Sequence, residues 1–477
     1  QHGTAQNLKQ AGEEALHAGT DMDMCAKAYV QHLAQSVKEG KVSEEEINQA
    51  CRRVLEAKYR LGLFKDPYRY CDTKLSKKDI YTLDNRKVAR DVAAETFVLL
   101  KNENNILPLK KEGKVALIGP LADTRNNIAG TWSVAQVPEK YTTLKEAMQQ
   151  ALKGKAELLY AQGSNIWRDA QLQKNGEFDK PMQRGDNELL KAEAIKVAKD
   201  ADIIVCAMGE SADMSGECGS RTNLEMPDVQ HELLAELVKL GKPVVLLNFS
   251  GRPTVLTWEK EHVPAIMNVW FGGSEVGDAI CDVLFGDKVP SGKLTTSLPK
   301  TTGQEPLYYN HQNTGRPVPD DNPRFAKYAS NYLDVSNGPL YPFGYGLSYT
   351  TFSYSDLRLS QSQASIATNE ADAWKNDEKI TATITVQNTG NWNADEVVQL
   401  YIRDMVCSIS RPIKELKGFQ RIHLAAGESR EVSFDITPEM LKFYNAELKH
   451  ILEPGDFEIM VGTNSKDVKM QPLTIGM

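Results

Sequence analysis

Four charged residues follow an apolar run within one short stretch of the chain. The segment MGESADMSGECGSRTNL, residues 208–224, contains Glu210, Asp213, Glu217 and Arg221. A glutamate in a partly enclosed pocket has its pKa raised by desolvation, which suits a general acid. The alternative is structural, because the three carboxylates could be solvated or cap the helix that follows. From these residues alone, both interpretations stay open.

Strand–helix alternation predicts the layer that carries this segment. Continuous apolar strands separated by amphipathic helices indicate a parallel sheet covered on both faces, and the right-handed crossover rule favours an open doubly wound α/β sandwich. Ligands of such sheets bind outside the carboxyl ends of the strands, where residues 208–224 would lie. The predicted strands are 114–119, 156–163, 201–209, 242–249 and 264–273, and the predicted helices are 86–102, 143–152, 187–200, 228–240 and 275–285.

The pattern changes on either side of this layer. Residues 1–64 predict two helices around the loop GTDMDM, and the second helix opens with the capping box Ser43/Glu46. Alternating strands with turn signals predict an antiparallel β-sandwich of about seven strands at the end of the chain. The predicted domains are therefore helices at 1–64, a polar linker at 65–90, the α/β sandwich at 91–305, a connector at 306–350 and the β-sandwich at 351–477.

Composition excludes several classes of function. The 477 residues carry a net charge of −8, so no basic surface is indicated for nucleic acid or an anionic membrane. No apolar run approaches the roughly 20 residues of a membrane span. The seven cysteines are scattered without CxxC or Cys/His spacing, so neither a disulfide framework nor a zinc site is expected. We expect no metal and no cofactor.

Other motifs carry weaker signals. ALIGPLAD lacks the dinucleotide glycine fingerprint, FGGSEVGDAI lacks the Walker order, and no GxSxG elbow occurs. His231 and His262 stand alone, and packing or surface roles are the default for both. Trp132, in a loop, is equally compatible with stacking on a sugar and with packing. Trp270 lies in a predicted strand, where a core role is favoured.

Several long motifs, in order along the chain, resemble glycoside hydrolase family 3. They include AGTDMDM, VLLKNENNILPL, GESADMSGECGSRTNLEMPDVQHELLAELVKLGKPVVLLNFSGRP, AIMNVWFGGSEVGDAICDVLFGDKVPSGKLTTSLP and LYPFGYGLSYTTF. The resemblance covers essentially the whole chain. It is strongest to bacterial periplasmic β-glucosidases that end in a fibronectin type III-like domain.

This resemblance implies a fold and a division of the catalytic residues. The family joins a (β/α)8-type barrel to an α/β sandwich and, in this branch, to a fibronectin type III-like β-sandwich. Residues 1–64 would then be the last helices of the barrel, most of which this chain would lack. The nucleophilic aspartate of the family lies shortly upstream of the AG-DMDM segment, so we expect it outside this chain. Asp21 and Asp23 are not the nucleophile by this alignment.

The resemblance also assigns roles within residues 208–224. By its position in MSGECGSR, Glu217 matches the general acid/base of the family. Glu210, in MGES, matches a motif beside the strand and would take a positioning role. Arg221 would hold the loop or the glutamate through a charge-assisted bond. No metal or redox cofactor is implied.

The implied activity is retaining hydrolysis of terminal non-reducing β-D-glucosyl residues from β-glucosides or oligosaccharides. Two alternatives stay open: a β-xylosidase or other exo-β-glycosidase of the same family, and an inert carbohydrate-binding or structural fragment. The implied partners are a β-linked glycoside, the barrel segment of the same enzyme and, as an option, a second copy in a homodimer. Nucleic acid and a membrane span are not expected. The resemblance implies a periplasmic or secreted protein.

Overall fold

A computed structural model describes residues 3–133, 136–176, 182–322, 325–375 and 379–477. The chain divides into two compact units, Gln1–Asn85 and Arg86–Met477. Within the described residues, no helix combines the length and the apolar character needed to cross a lipid bilayer.

The first unit is helical. A small apolar core of Leu16, Leu33, Val42 and Ala50 joins the first three of its helices. The predicted capping box is confirmed, because Ser43 and Glu46 satisfy each other's backbone N–H groups at the start of the third helix. The helices are α1 (Leu8–His17), α2 (Ala28–Lys38), α3 (Glu44–Arg60) and α4 (Thr73–Asp79).

The predicted strand–helix alternation is confirmed in the second unit. A helix that begins at the end of the first unit, α5 (Leu83–Thr96), leads into it. The strands of the layer are β1 (Val98–Asn102), β2 (Lys114–Ile118), β3 (Glu157–Ala161), β4 (Ile203–Gly209), β5 (Val244–Phe249) and β6 (Ala265–Asn268). The helices between and after them are α6 (Leu144–Leu152), α7 (Ala170–Asn175), α8 (Asn187–Asp200), α9 (Asp228–Val238), α10 (Thr257–His262) and α11 (Val276–Leu284).

Six strands of the described chain form one sheet in the order β1-β6-β5-β4-β2-β3. The strands β2 to β6 are parallel, and β1 pairs with β6 in the antiparallel direction. Successive residues of each parallel strand contribute to opposite faces, as in Val205 and Cys206 of β4. Helices α5, α6 and α11 cover one face and helices α8 and α9 cover the other, which gives the doubly wound layer.

The end of the chain is a β-sandwich with a core of its own. One sheet contains β13-β10-β7, with β8 also paired to β10, and the other has the order β12-β11-β16-β17-β9. Inward-facing apolar residues alternate with outward-facing polar ones along β10 and β13, so both strands present their apolar face to the core between the sheets. The elements are β7 (Phe352–Tyr354), β8 (Arg358–Leu359), β9 (Gln363–Ser365), β10 (Ile380–Asn388), β11 (Ala394–Asp404), β12 (Glu415–Leu424), β13 (Ser429–Ile436), α12 (Pro438–Leu441), β14 (Phe443–Tyr444), β15 (His450–Ile451), β16 (Gly455–Gly462) and β17 (Val468–Gly476).

The structure corrects several details of the sequence-based prediction. The predicted helix 86–102 ends at Thr96, and its apolar end VLLKN is the edge strand β1. The predicted linker 65–90 contains α4 and the start of α5, and residues 1–64 contain the additional helix α1. The sandwich is not wholly antiparallel, because β9 pairs with β17 in the parallel direction.

A buried ion pair joins the β-sandwich to the α/β layer. Lys293, after α11, lies 3.1 Å from the carboxylate of Glu396 on β11. The hydroxyls of Tyr354 and Thr463 each donate to Glu396 at 2.9 Å. This glutamate is 3% exposed at its side chain, and its carboxylate is fully engaged at the contact between the two layers.

Candidate active site at the carboxyl edge of the sheet

The loop after β4 lies where the winding of the sheet reverses. The chain leaves β2 toward β3 on one side and continues from β4 through β5 to β6 on the other. Loops after β2 and β4 therefore meet at the topological switch point, the usual ligand site of such folds. The backbone N–H of Ala212 donates to Asn127 Oδ1 at 3.0 Å, and the Thr131 hydroxyl donates to Asp213 at 3.2 Å.

Glu210 is the first residue after β4, and its carboxylate is buried between two arginines. The residue is 1% exposed. Arg221 Nη1 lies 2.8 Å and Arg252 Nε lies 3.1 Å from Glu210 Oε1. Charge-assisted bonds of this kind are short and strong, and burial keeps water from competing for them. The side chain is therefore held inside the protein as an anchor.

Besides pairing with Glu210, both arginines donate hydrogen bonds to backbone carbonyl groups of the same loop. Arg221 Nη2 donates to the carbonyl of Glu225 at 2.9 Å, and its guanidinium lies 5.2 Å from the ring centre of Trp167. Arg252 Nη2 donates to the carbonyl of Gly219 at 2.5 Å and to that of Met214. One buried carboxylate thus organises the loop through two cations.

Glu217 lies at the tip of a tight turn in this loop and is exposed. The backbone N–H of Gly219 donates to the carbonyl of Gly216 at 3.1 Å, and the neighbours Gly216 and Cys218 have positive φ angles of 106° and 61°. Within the described part of the chain, no hydrogen bond or ion pair holds the Glu217 carboxylate. The enclosed pocket expected from the sequence does not surround it there.

Arg221 is expected to hold either the loop or the glutamate, and its side chain bonds Glu210 and the carbonyl of Glu225 in the loop. Among the described residues, the guanidinium of Arg221 makes no bond to Glu217. The reason is geometric, because residue 210 leaves the strand pointing into the protein while residue 217 sits on the exposed turn. The structure thus brings Arg221 and Glu210 together and leaves Glu217 free to meet a ligand.

The aromatic candidates differ in position. Trp132 is 68% exposed and follows Thr131, which packs against the turn: a Cβ built on Gly216 would lie 2.1 Å from Thr131 Cγ2. Trp270 is packed against the sheet, and its indole N–H donates to the carbonyl of Thr96 at 3.2 Å. Trp132 is therefore the tryptophan of this pair that is available to a ligand.

The two histidines belong to a packed cluster away from the turn. His231 contacts the edge of the Trp258 ring, and His262 stacks on the same ring with centroids 4.5 Å apart. His231 Nδ1 lies 3.3 Å from Glu259, and this hydrogen bond raises the pKa of the histidine. Across the described residues, no group of three or more His, Cys, Asp or Glu has the arrangement of a metal site.

Arg252 is a residue of the site that sequence reasoning missed. It lies in the segment SGRP directly after β5, 42 residues along the chain from Glu210. The signal that could have found it was its position, because polar residues after neighbouring parallel strands meet at one edge of the sheet.

Comparison with known proteins identifies the family. The model described as the Glycosyl hydrolase family 3 C-terminal domain matches residues 97–349, which span the α/β layer and the whole candidate site. The chain belongs to glycosyl hydrolase family 3. The family's N-terminal domain matches residues 1–57, and a fibronectin type III-like domain matches residues 396–465.

Individual family 3 relatives cover nearly all of this chain. A periplasmic β-glucosidase of Salmonella typhimurium is 44% identical over 475 residues, and a β-xylosidase of Formosa agariphila is 35% identical over 489. The crystal structure of a β-glucosidase from Listeria innocua in complex with isofagomine matches with a TM-score of 0.88 and 36% identity, covering 100% of this chain. The chain spans 60%, 62% and 62% of these three proteins, respectively.

Proposed function

We propose that the intact protein is a retaining exo-β-glycosidase that removes terminal non-reducing β-D-glucosyl residues from β-glucosides and oligosaccharides. In this proposal Glu217 is the general acid/base. The nucleophile is an aspartate of the N-terminal domain that lies outside this chain. Glu210 and Arg221 position the loop, and neither a metal nor a redox cofactor takes part.

One observation carries the assignment of Glu217. Its carboxylate is exposed and unpartnered within the described residues, on a turn that buried ion pairs hold at the switch point of the sheet. A proton donor must reach its substrate, yet its backbone must stay fixed to within a fraction of an ångström. Glu210 fails the first requirement, because its carboxylate is buried between two cations.

The chemistry proceeds in two steps. The aspartate attacks the anomeric carbon while the Glu217 carboxyl group gives its proton to the leaving oxygen. Glu217, now a carboxylate, then takes a proton from water, which attacks the anomeric carbon and displaces the aspartate. Retention requires the two carboxyl groups to be about 5 Å apart. Enclosure of Glu217 by the bound sugar would supply the desolvation that suits an acid.

The test is Glu217→Ala in the protein made from its complete coding sequence. General acid catalysis is worth about 10²–10⁴-fold, so kcat/KM for phenyl β-D-glucoside should fall by that factor. The value for dinitrophenyl β-D-glucoside should change little, since that leaving group needs no proton. Azide should restore turnover and give a β-glucosyl azide. Unchanged activity on natural β-glucosides would remove Glu217 from this role.

Trp132 is proposed to stack on the substrate. Its ring is largely exposed, and the residue before it packs against the Glu217 turn. Sugars present an apolar face that binds aromatic rings. We expect Trp132→Ala to raise KM with little effect on kcat. An unchanged KM for a disaccharide substrate would rule out this contact.

The second candidate is a β-xylosidase. Two Formosa agariphila relatives with 35% and 34% identity are named β-xylosidase and putative β-xylosidase. A screen of nitrophenyl β-glycosides decides between the sugars, because the preferred substrate will show the higher kcat/KM. If the complete protein hydrolyses none of them, an inert carbohydrate-binding role becomes the better description. We further propose a periplasmic or secreted location, as in the Salmonella relative.

A further inference from the structure

Arg252 joins the two ends of the turn that carries Glu217. The turn runs from Met214 to Gly219, and the guanidinium donates from one nitrogen, Nη2, to the carbonyl groups of both residues. Met214 lies three residues before Glu217 and Gly219 lies two residues after it. A single side chain therefore sets the distance between the two ends of the turn.

The buried carboxylate of Glu210 fixes the position of the Arg252 side chain. Its Nε lies 3.1 Å from Oε1 and 3.3 Å from Oε2 of Glu210, and its side chain is 16% exposed. The guanidinium is a rigid plane, so fixing one edge on a buried carboxylate fixes the direction of the other edge. A lysine could keep the charge, but it could not span the same acceptors.

Neighbouring loops leave the turn little room to move. A Cβ built on Gly251, the residue before Arg252, would lie 2.0 Å from Ser215 Oγ. On the other side, a Cβ built on Gly216 would lie 2.1 Å from Thr131 Cγ2. The Glu217 carboxylate has no partner of its own in the described chain, so its position is set through the backbone of the turn.

We propose that Arg252 is the positioning residue for Glu217, acting on proton transfer through the carbonyl groups of Met214 and Gly219. This inference rests on the proposed function. It predicts a specific defect: when the clamp is lost, the protein folds and binds substrate, but its acid/base group is misplaced. The loss should therefore depend on how much the leaving group needs a proton.

The experiment measures kcat/KM for a series of aryl β-D-glucosides, from dinitrophenyl to phenyl, on the complete protein. Arg252→Gln should lower the value for the phenyl glucoside by about 10²-fold, the order expected for misplaced catalytic groups, and that for the dinitrophenyl glucoside by less than about threefold. The kcat/KM of Arg252→Lys for the phenyl glucoside should lie between those of the unmodified protein and Arg252→Gln. Added guanidinium ion should restore part of the rate that Arg252→Gln loses on the phenyl glucoside.

Arg125→Gln is the matched control, because Arg125 also bonds a carboxylate and a backbone carbonyl, but those of Glu146 and Tyr141 rather than groups of the turn. Its dependence on the leaving group should stay close to that of the unmodified protein.

Thermal melts identify any variant that does not fold. If Arg252→Gln is one of them, the same substrate series on Arg252→Lys decides the role of Arg252. Equal losses across the series, or no loss, would overturn that role. If the unmodified protein cleaves no aryl β-glycoside, or if Glu217→Ala shows no dependence on the leaving group, the proposed function itself fails.

Discussion

Glu210 and Glu396 are both buried glutamates that hold two segments together, yet their partners differ. Glu210 bonds two arginines, whose remaining N–H groups reach carbonyls along an exposed loop. Glu396 bonds one lysine and two hydroxyls between the α/β layer and the β-sandwich. The planar guanidinium bonds its carboxylate and carbonyl partners in fixed directions, whereas the ammonium of Lys293, which also donates to the carbonyl of Gly346 at 2.9 Å, acts as a point charge with rotatable donors. We infer that the first network shapes a site and the second joins two layers.

The largest effect is expected from Glu210→Gln. Two partly buried arginines would lose their shared, buried anion, and breaking a buried pair costs about 3–5 kcal/mol. The turn would also lose its support, so kcat/KM for phenyl β-D-glucoside should fall by about 10²-fold or more. Urea denaturation and steady-state kinetics on the same preparation measure both effects. If activity falls only in proportion to the folded fraction, the distinction between the two networks is wrong.

Lys293→Met tests the Glu396 network, which joins the α/β layer to the β-sandwich. Glu396 would keep its two hydroxyl donors but lose its cation, and we expect a loss of about 3 kcal/mol in the free energy of unfolding. The kcat of the folded protein should not change. Tyr354→Phe, which removes one neutral donor to the same carboxylate, should cost only about 1 kcal/mol. A selective fall in kcat would show that the domain contact also acts on the site.

The reactivity of two cysteine thiols, one beside Glu217 and one in the β-sandwich, distinguishes the two regions. Cys218 is exposed beside Glu217, whereas burial raises the pKa of Cys407 in the β-sandwich to about 11. Because the thiolate is the reactive form, Cys407 should react slowly with N-ethylmaleimide. Adding that group at Cys218 should reduce activity on the order of tenfold through crowding of the turn. Cys218→Ser should abolish the inhibition; persistence of inhibition would assign it to another thiol.

The smallest effect concerns Glu259, a third buried glutamate, whose partner is a histidine. The hydrogen bond to Glu259 raises the pKa of His231 above 6.5, so the contact stabilises the fold fully below that value. Its contribution is lost as the pH rises through the folded-state pKa. His231→Gln should therefore lower Tm more at about pH 5 than at about pH 8. In a Glu259→Gln background this difference should vanish, and its persistence would point to other groups.

The sequence alone determined the order of the layers and the segment that carries the site. Apolar strands such as IIVCAMG alternate with amphipathic helices, and this local pattern survives folding because the sheet buries both of its faces. The sequence did not determine that β1 is a strand, because its residues continue the apolar pattern of a helix. It also did not determine that β17 is a strand, because Pro472 within it argues against one. Pairing with a distant strand decided both.

Within the site, spacing along the chain indicated Glu210, Glu217 and Arg221 as candidates. It did not predict which of these side chains contact one another. Only the tertiary structure buried Glu210 and turned Arg221 toward it. It also brought Arg252 across from the end of the next strand. The physical reason is that an ion pair depends on distance and desolvation in three dimensions, and neither can be read from residues that are tens of positions apart.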